Sequence, residues 1–300
     1  MQHFGYSIGC VMDTLKGRKR WSDEALIARA LSVKTRKAYR ANLQELRFRA
    51  SASLYERCIE LAKSELPEER EVGVDILAEF FRRDKRKKYG YESPYSKDRL
   101  ALFLQMIVVE KNINVIESLL HGIGKNDCRI KSKDIDLILP FIDHENRSVR
   151  WTALIALMNS PNNMKAIRGL IKLSNDRYAD IRDWATFTIG TQSELDNDEI
   201  RKALYARCTD KHLVTRHEAI CGLAKRKDAG VKKYIEKALA SHDVCTTLIF
   251  ESIRELDAKE YLPHLEAMLA ETENDPSIRE LWLDELKECI EALRGSPQDT

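Results

Sequence analysis

The chain contains 300 residues, and its 43% apolar and 33% charged content excludes an intrinsically disordered or fibrous protein. Its formal net charge is +2, but the charge is uneven: residues 1–100 carry 22 Lys and Arg against 15 Asp and Glu, whereas residues 251–300 carry 5 against 14. With 12 glycines and 7 prolines the composition favours helices, and the most apolar stretch, residues 100–109, is about half as long as a membrane-spanning helix.

The N-terminal region, residues 1–50, is predicted to form a helical cap. One helix is expected after Ser22, which is a suitable N-cap residue, and a second helix is expected across residues 34–50. Asp13 lies where a signal sequence would need an apolar run, and no basic start precedes it. We therefore predict a cytoplasmic protein without a membrane segment.

A basic insertion is expected at about residues 82–98, where the sequence RRDKRKKYGYESPYSKD separates two helical stretches. Basic side chains interleaved with aromatic ones suit the phosphates and bases of a nucleic acid. A solvated loop and an acidic protein partner are compatible with the same pattern, so all three interpretations remain open. The candidate phosphate or acidic-partner contacts are Arg82, Arg83, Arg86, Lys87 and Lys88.

A repeated unit is predicted across residues 51–300 and is clearest near the middle of the chain. Each copy consists of an amphipathic helix, an Asp-containing turn and a second helix. The first helices are expected at residues 135–142, 164–173 and 200–208. The second helices contain Val149-Arg150-Trp151-Thr152-Ala153, Ile181-Arg182-Asp183-Trp184-Ala185 and Thr215-Arg216-His217-Glu218-Ala219, whose alanines are 32 and 34 residues apart.

Weaker copies extend the repeat in both directions, at residues 69–73, 115–124, 228–240 and 257–270. A single helix pair cannot bury its apolar stripe, whereas stacked pairs bury a continuous core. The prediction is an all-α fold: a right-handed α-solenoid of about seven helix pairs that follows the cap.

Charged residues recur at equivalent places in these units. We predict that they form a ladder of ion pairs between neighbouring repeats, with phosphate binding by the arginines as the alternative. The members of this predicted ladder are Asp143, Arg150, Asp176, Arg182, Asp210 and Arg216.

A second set of residues is predicted to line a concave groove that binds a partner. Trp151, Asp183 and His217 each follow a repeated arginine, and Trp184 is expected at the groove edge. Plain packing is one alternative for this row. Catalysis is another, because a carboxylate beside an aromatic wall can stabilise a developing cation.

No cofactor or metal site is predicted. The seven cysteines contain no Cys-x-x-Cys pair and are expected to be reduced core residues, and the histidines lack metal-ligand spacing. Gly122 and Gly124 end a predicted helix and are interpreted as a C-cap, not as a phosphate-binding loop. These observations favour a protein that is not an enzyme.

The Asp turn and the Val-Arg-x-x-Ala helix resemble the HEAT repeat in its short bacterial version. Within residues 174–269 the chain is similar to a bacterial HEAT-repeat family whose members are encoded beside Rhs-type toxins. The segments that carry this similarity are residues 180–187, 196–201, 218–228 and 262–269. The resemblance implies an immunity protein that neutralises a cognate toxin by binding and occlusion, and it implies no catalytic residues.

The leading functional hypothesis is therefore a protein-binding scaffold whose partner is a toxin domain encoded nearby. The alternative is a nucleic-acid-binding HEAT-like protein of the alkylpurine DNA glycosylase kind, which the basic first third and the Asp183-Trp184 pair motivate. A HEAT protein of the bilin-lyase kind is a third hypothesis and is supported only by the generic repeat.

Overall fold

The computed structural model describes residues 21–84, 90–241, 244 and 246–295, without the side chains of residues 83, 84 and 90. These residues form sixteen α-helices and one hairpin of two short strands. The chain divides into two compact units, Met1–Asn159 and Ser160–Thr300. The predicted boundary near residue 50 lies inside the first unit.

Each unit consists of antiparallel helix pairs. The first unit contains α1 (Asp23–Ser32), α2 (Arg36–Arg47), α3 (Ala52–Ala62), α4 (Pro67–Ala78), strands β1 (Arg82–Asp84) and β2 (Gly90–Glu92), α5 (Ser96–Met106), α6 (Ile113–Gly124), α7 (Ser132–Ile135) and α8 (Arg147–Met158). The second contains α9 (Met164–Leu173), α10 (Ala179–Phe187), α11 (Asp198–Arg207), α12 (Leu213–Lys225), α13 (Lys232–Ala240), α14 (Leu248–Glu255), α15 (Leu262–Thr272) and α16 (Glu280–Arg294).

The N-terminal cap helices begin where the sequence predicts. The Ser22 side chain accepts a hydrogen bond from the amide of Ala25 at 3.2 Å, and the Thr35 side chain accepts one from the amide of Ala38 at 3.2 Å. Each bond satisfies one of the free amides in a first helical turn. Seven further helix pairs follow α1 and α2 in the described residues.

The second helices of consecutive pairs pack side by side within each unit. In the first unit α4 contacts α2 and α6, and α6 also contacts α8; in the second, α12 contacts α10 and α14, and α14 also contacts α16. Their shared core positions are small or aliphatic: Ala153, Ala185 and Ala219 are fully buried. Alanine at these positions lets neighbouring helices approach closely.

The predicted helix at residues 135–142 is wrong. The one-turn helix α7 ends at Ile135, and a separate 3₁₀ turn, Leu139–Asp143, follows it. Pro140 accounts for the break, because it has no amide hydrogen to donate to the carbonyl of Asp136 four residues earlier and its ring would clash with that carbonyl in an α-helix. The neighbouring prediction of a helix over residues 164–173 is confirmed, since α9 covers those residues.

Glycines occur where helices approach most closely. A Cβ atom on Gly222 of α12 would lie 2.5 Å from the Cα of Gly190, which belongs to the π-helical turn Thr188–Gln192 that continues α10. Gly124 differs from its predicted C-cap role, because it is still helical and Lys125 is the C-cap residue. A side chain at Gly124 would overlap the backbone carbonyl of Ile155 in α8.

The insertion forms a hairpin instead of a plain loop. β1 and β2 are antiparallel, and Arg82 pairs with Glu92 both through the backbone register and through a 2.6 Å ion pair. Arg86, Lys87 and Lys88 lie outside the described residues, as does the side chain of Arg83.

Candidate functional site

The repeated arginines share one contact pattern with the backbone of the preceding turn. In each case one terminal guanidinium nitrogen, Nη1, donates to the carbonyl oxygens of the residues six and five positions earlier. The distances are 2.9 and 3.0 Å for Arg150, 3.0 and 3.3 Å for Arg182, and 2.8 and 3.3 Å for Arg216. Each arginine therefore holds the start of its helix against the turn before it.

Arg182 also joins two helix pairs of the second unit. Its Nε and Nη2 donate to the two carboxylate oxygens of Asp210 at 2.8 Å each, and the two side chains are only 6% and 4% exposed. Burial alone would raise the pKa of Asp210, but the hydrogen bonds from Arg182 and from the amide of His212 outweigh it and hold that pKa below its ordinary value. The pair is a bidentate, charge-assisted contact.

Arg70 occupies the same position in α4, although the sequence analysis did not select it. Its Nη1 donates to the carbonyls of Ser64 and Glu65, six and five residues earlier, at 3.0 and 2.8 Å. Its Nε and Nη2 donate to the carboxylate of Glu110 at 2.7 and 2.9 Å. The weak repeat copy at residues 69–73 was the signal that could have identified it.

One predicted ladder position is shifted by a residue. The residue six positions before Arg150 is His144, not Asp143, and the Nδ1 atom of His144 accepts the amide hydrogen of Asn146 at 3.0 Å. Asp176 makes the corresponding contact with the amide of Tyr178 at 2.9 Å. Asp143 instead ends the preceding 3₁₀ turn.

The predicted groove row has mixed burial. Asp183 and Trp184 are half-buried, and so is Trp151, which belongs to the first unit. Asp183 accepts a 3.4 Å hydrogen bond from the hydroxyl of Thr215, and Trp184 packs edge-on against Phe187 with a ring separation of 5.7 Å.

His217 differs from its predicted place in a groove. Its side chain is 1% exposed, and its Nδ1 lies 2.7 Å from the hydroxyl oxygen of Thr246. The position after the repeated arginine is therefore buried in α12, whereas the equivalent Asp183 in α10 is half-buried.

Glu218 is a buried carboxyl group that the sequence analysis did not select. Its residue is 3% exposed, and its Oε2 accepts no hydrogen bond from the described part of the chain. The pKa of Glu218 is raised to about 8, mainly by burial and also by the carboxylates of Asp183 and Glu251, whereas Lys225 acts in the opposite direction. Glu218 therefore holds its proton through most of the neutral pH range.

The protonation of Glu218 gives a pH-dependent prediction. Between pH 4.5 and about 8 the unfolded chain releases a proton that the folded chain retains, so the free energy of unfolding falls as pH rises. We expect Glu218→Gln, which keeps the side chain neutral at every pH, to remove this fall. Urea unfolding followed by circular dichroism across that range measures it, and the slope at stake is at most about 1.4 kcal/mol per pH unit.

Glu266→Gln is the matched control, because the carboxylate of Glu266 is 41% exposed at its side chain, pairs with Arg294 at 2.6 Å and is not among the charges that act on Glu218. That variant should retain the pH dependence of the wild type. If Glu218→Gln retained it too, Glu218 would be ionised in the folded protein.

Aromatic side chains surround the base of the hairpin. Phe48 at the end of α2 is 51% exposed and lies against Tyr91 of β2, which is 57% exposed, with ring centroids 5.5 Å apart. Tyr55 and Tyr95 stack at 4.1 Å on the other side. These contacts attach the hairpin to the first unit and leave two aromatic surfaces open to solvent.

The described residues contain neither a metal-binding cluster nor a membrane-spanning helix. Residues 21–84, 90–241, 244 and 246–295 contain no group of three or more His, Cys, Asp or Glu side chains that could hold a metal ion. No described helix is long and apolar enough to cross a membrane.

Comparison with known proteins places the chain among helical repeat proteins. No family model matches it. Protein YibA of Escherichia coli strain K12 is 35% identical over 126 residues, which are 42% of this chain and 44% of YibA. The X-ray structure of YibA superimposes with a TM-score of 0.70 at 24% identity, covering 94% of this chain and 96% of YibA. The fold is a HEAT-like helical repeat.

The HEAT-like fold extends to larger proteins. Kap95p, a protein that binds RanGDP, superimposes on this chain with a TM-score of 0.50 at 12% identity. The match covers 94% of this chain and 43% of Kap95p. At this identity the likeness shows the fold alone. The predicted fold class, an all-α solenoid of HEAT-like helix pairs, is confirmed.

Proposed function

We propose that this HEAT-like chain is a non-enzymatic scaffold that neutralises a bacterial toxin by binding it and blocking its active site. The observation that carries the proposal is the side-by-side packing of the second helices within each unit. Such packing builds one broad surface from several helices, and a protein partner buries about 800 Å² on each side of a standard interface. A surface of this kind suits a partner of protein size.

A protein of the same kind of fold supports a protein partner, because Kap95p binds RanGDP, which is itself a protein.

The choice of a toxin as the partner rests on the resemblance of residues 174–269 to immunity proteins encoded beside Rhs-type toxins. The charge distribution fits a basic toxin domain, because residues 251–300 carry 14 Asp and Glu against 5 Lys and Arg. An acidic region accelerates the encounter with a basic partner by electrostatic steering.

Co-expression with the product of the neighbouring gene tests the proposal. We expect the chain to restore growth to cells that make the toxin domain and to form a stoichiometric complex with it after nuclease treatment. The association rate should fall as salt rises, because the ions screen the steering charges. Continued toxicity without a complex would refute the proposal. Recovery of a nucleic acid in place of a protein would favour the nucleic-acid-binding alternative.

A further inference from the structure

Two neighbouring turns of the first unit are held together rigidly. Arg70 donates to the carbonyls of Ser64 and Glu65 in the turn between α3 and α4, and to both carboxylate oxygens of Glu110 in the turn between α5 and α6. Glu110 is only 5% exposed at its side chain and also accepts the amide hydrogens of Lys111 and Asn112, at 2.9 and 2.8 Å. These contacts order both turns before any partner arrives.

The same two turns expose large apolar side chains. Val109 is 74% exposed and Val108 is 64% exposed, and next to them Leu66 and Ile113 are 57% and 40% exposed. Exposed apolar residues that occur singly need no explanation, but a group of four at adjacent turns marks an interaction surface.

The repeat itself does not require these valines. Val108 and Val109 occupy the two positions before Glu110, whose carboxylate accepts the amide two residues later. The same contact is made by Asp176 and Asp210 in the second unit. There the two preceding positions are held by Ser174-Asn175 and by Cys208-Thr209. Polar or small residues therefore satisfy the turn, and the two exposed valines add nothing to its hydrogen bonding.

A hollow of about 430 Å³ lies between the two turns. We call it the valine pocket. Its apolar wall is formed by Ala62, Met106 and Val109, and its polar lining by Lys63, Arg70, Glu110 and Lys111. The volume accommodates a large aliphatic or aromatic side chain of a partner together with part of the neighbouring backbone.

The charge of the valine pocket specifies its occupant further. Arg70 and Glu110 neutralise each other through their buried pair, so the remaining charges of the lining are those of the exposed Lys63 and Lys111. An apolar wall beside two ammonium groups complements an apolar side chain that has a carboxylate next to it. Basic or purely apolar segments would leave the ammonium groups without a counter-charge.

We propose that the valine pocket binds a segment of a partner protein in which an aliphatic or aromatic side chain lies within two residues of an Asp or Glu. This surface lies at the turns between helices of the first unit. The inference rests on the proposed function to the extent that the partner is a protein, and it does not require that the partner be a toxin.

A random peptide library displayed on phage provides the probe. The library is selected on the immobilised full-length chain and, in parallel, on Val109→Asp. We expect the wild type to enrich peptides that share an apolar residue within two positions of Asp or Glu, and Val109→Asp to enrich none of them. A synthetic peptide of the enriched sequence is then titrated against purified variants, and the Kd should rise at least about tenfold for Val109→Asp.

Two further variants test the role of charge in peptide binding and exclude a non-specific effect of a new surface aspartate. Lys63→Ala combined with Lys111→Ala should raise the Kd and reduce its salt dependence, because the carboxylate loses its counter-charges. Leu281→Asp should leave the Kd unchanged, since Leu281 is 48% exposed on α16 and does not line the valine pocket. Both aspartate variants alter exposed positions, so the helical circular dichroism should match that of the wild type.

Three outcomes would refute the proposal that the valine pocket binds such a segment: enrichment of the same peptides on Val109→Asp, enrichment of peptides without an acidic residue, or no enrichment at all. Those outcomes leave the toxin complex of the proposed function intact. Conversely, if the wild type enriched acidic peptides that Val109→Asp did not, but no toxin complex formed, the pocket proposal would stand and the toxin would be excluded as the partner.

Discussion

Replacing Arg226 by methionine should lower the free energy of unfolding by about 3–5 kcal/mol. The guanidinium of Arg226 follows α12 and is 6% exposed at its side chain. It donates to five backbone carbonyls, of Ile189, Gly190, Ser193, Leu195 and Gly222, at 2.7 to 3.2 Å. Methionine fills similar space but donates nothing, so these buried carbonyls lose a donor at the same time.

The π-helical turn after α10 explains why Arg226 matters so much. Ile189 and Gly190 lie within this turn, and Ser193 and Leu195 in the segment that follows it. Backbone at a helix end needs donors from elsewhere for its free carbonyls. Arg226 supplies them from the next helix pair and thereby fixes the connection to α11.

Urea unfolding followed by circular dichroism measures the loss at Arg226. Arg294→Met is the control, because Arg294 is 58% exposed at its side chain and pairs with Glu266 on the surface. Its effect should be at most about 1 kcal/mol. Equal midpoints for Arg226→Met and the wild type would show that the five carbonyls are satisfied without Arg226.

Arg182→Met is the second substitution for which we expect a large effect: the free energy of unfolding should again fall by about 3–5 kcal/mol. The variant leaves the carboxylate of Asp210 in a buried place without its bidentate partner. Arg207, at 3.0 Å from Asp210, replaces only part of that interaction. Asp210→Asn should also lower the free energy of unfolding, because it leaves the buried guanidinium of Arg182 without its counter-charge, although that group keeps its bonds to the carbonyls of Asp176 and Arg177.

A double-mutant cycle with Arg182→Met and Asp210→Asn isolates the coupling between the two side chains. Arg168→Met is the matched control: Arg168 also contacts a carboxylate of the next pair, that of Glu199, at 3.2 Å, but the two side chains are 64% and 44% exposed. Its effect should stay within about 1 kcal/mol. If Arg182→Met lowered the free energy of unfolding no more than Arg168→Met, the Arg182–Asp210 pair would not hold the repeats together.

The repeat itself could be predicted because its signals are local. One-sided apolar stripes and Ser or Thr before a helix depend on residues near one another in sequence, and these local signals recur with the 32- and 34-residue spacing of the alanines. The cap helices α1 and α2 and the helix α9 therefore appear where expected. Arg182 and Asp210 could be predicted as members of an ion-pair ladder because Asp and Arg recur at equivalent places in the repeat.

The candidate site was harder to predict, because a position in the repeat does not determine its exposure. His217 and Asp183 both follow the repeated arginine, yet His217 is 1% exposed whereas Asp183 is half-buried. The difference depends on the tertiary neighbours of each side chain. The turn before α8 also departs from the strict period, because His144 and not Asp143 lies six residues before Arg150.

By itself the sequence determined the helix-pair repeat, the approximate position of most pairs and the pairing candidates Arg182 and Asp210, since helix periodicity and helix caps act over a few residues and the unit recurs. Only the tertiary structure decided that Glu218 is buried among carboxylates, that Arg226 reaches five carbonyls and that Val109 lines an open hollow between two turns. Those properties depend on which groups surround a side chain, and most of these neighbours belong to other helix pairs, about thirty or more residues away along the chain.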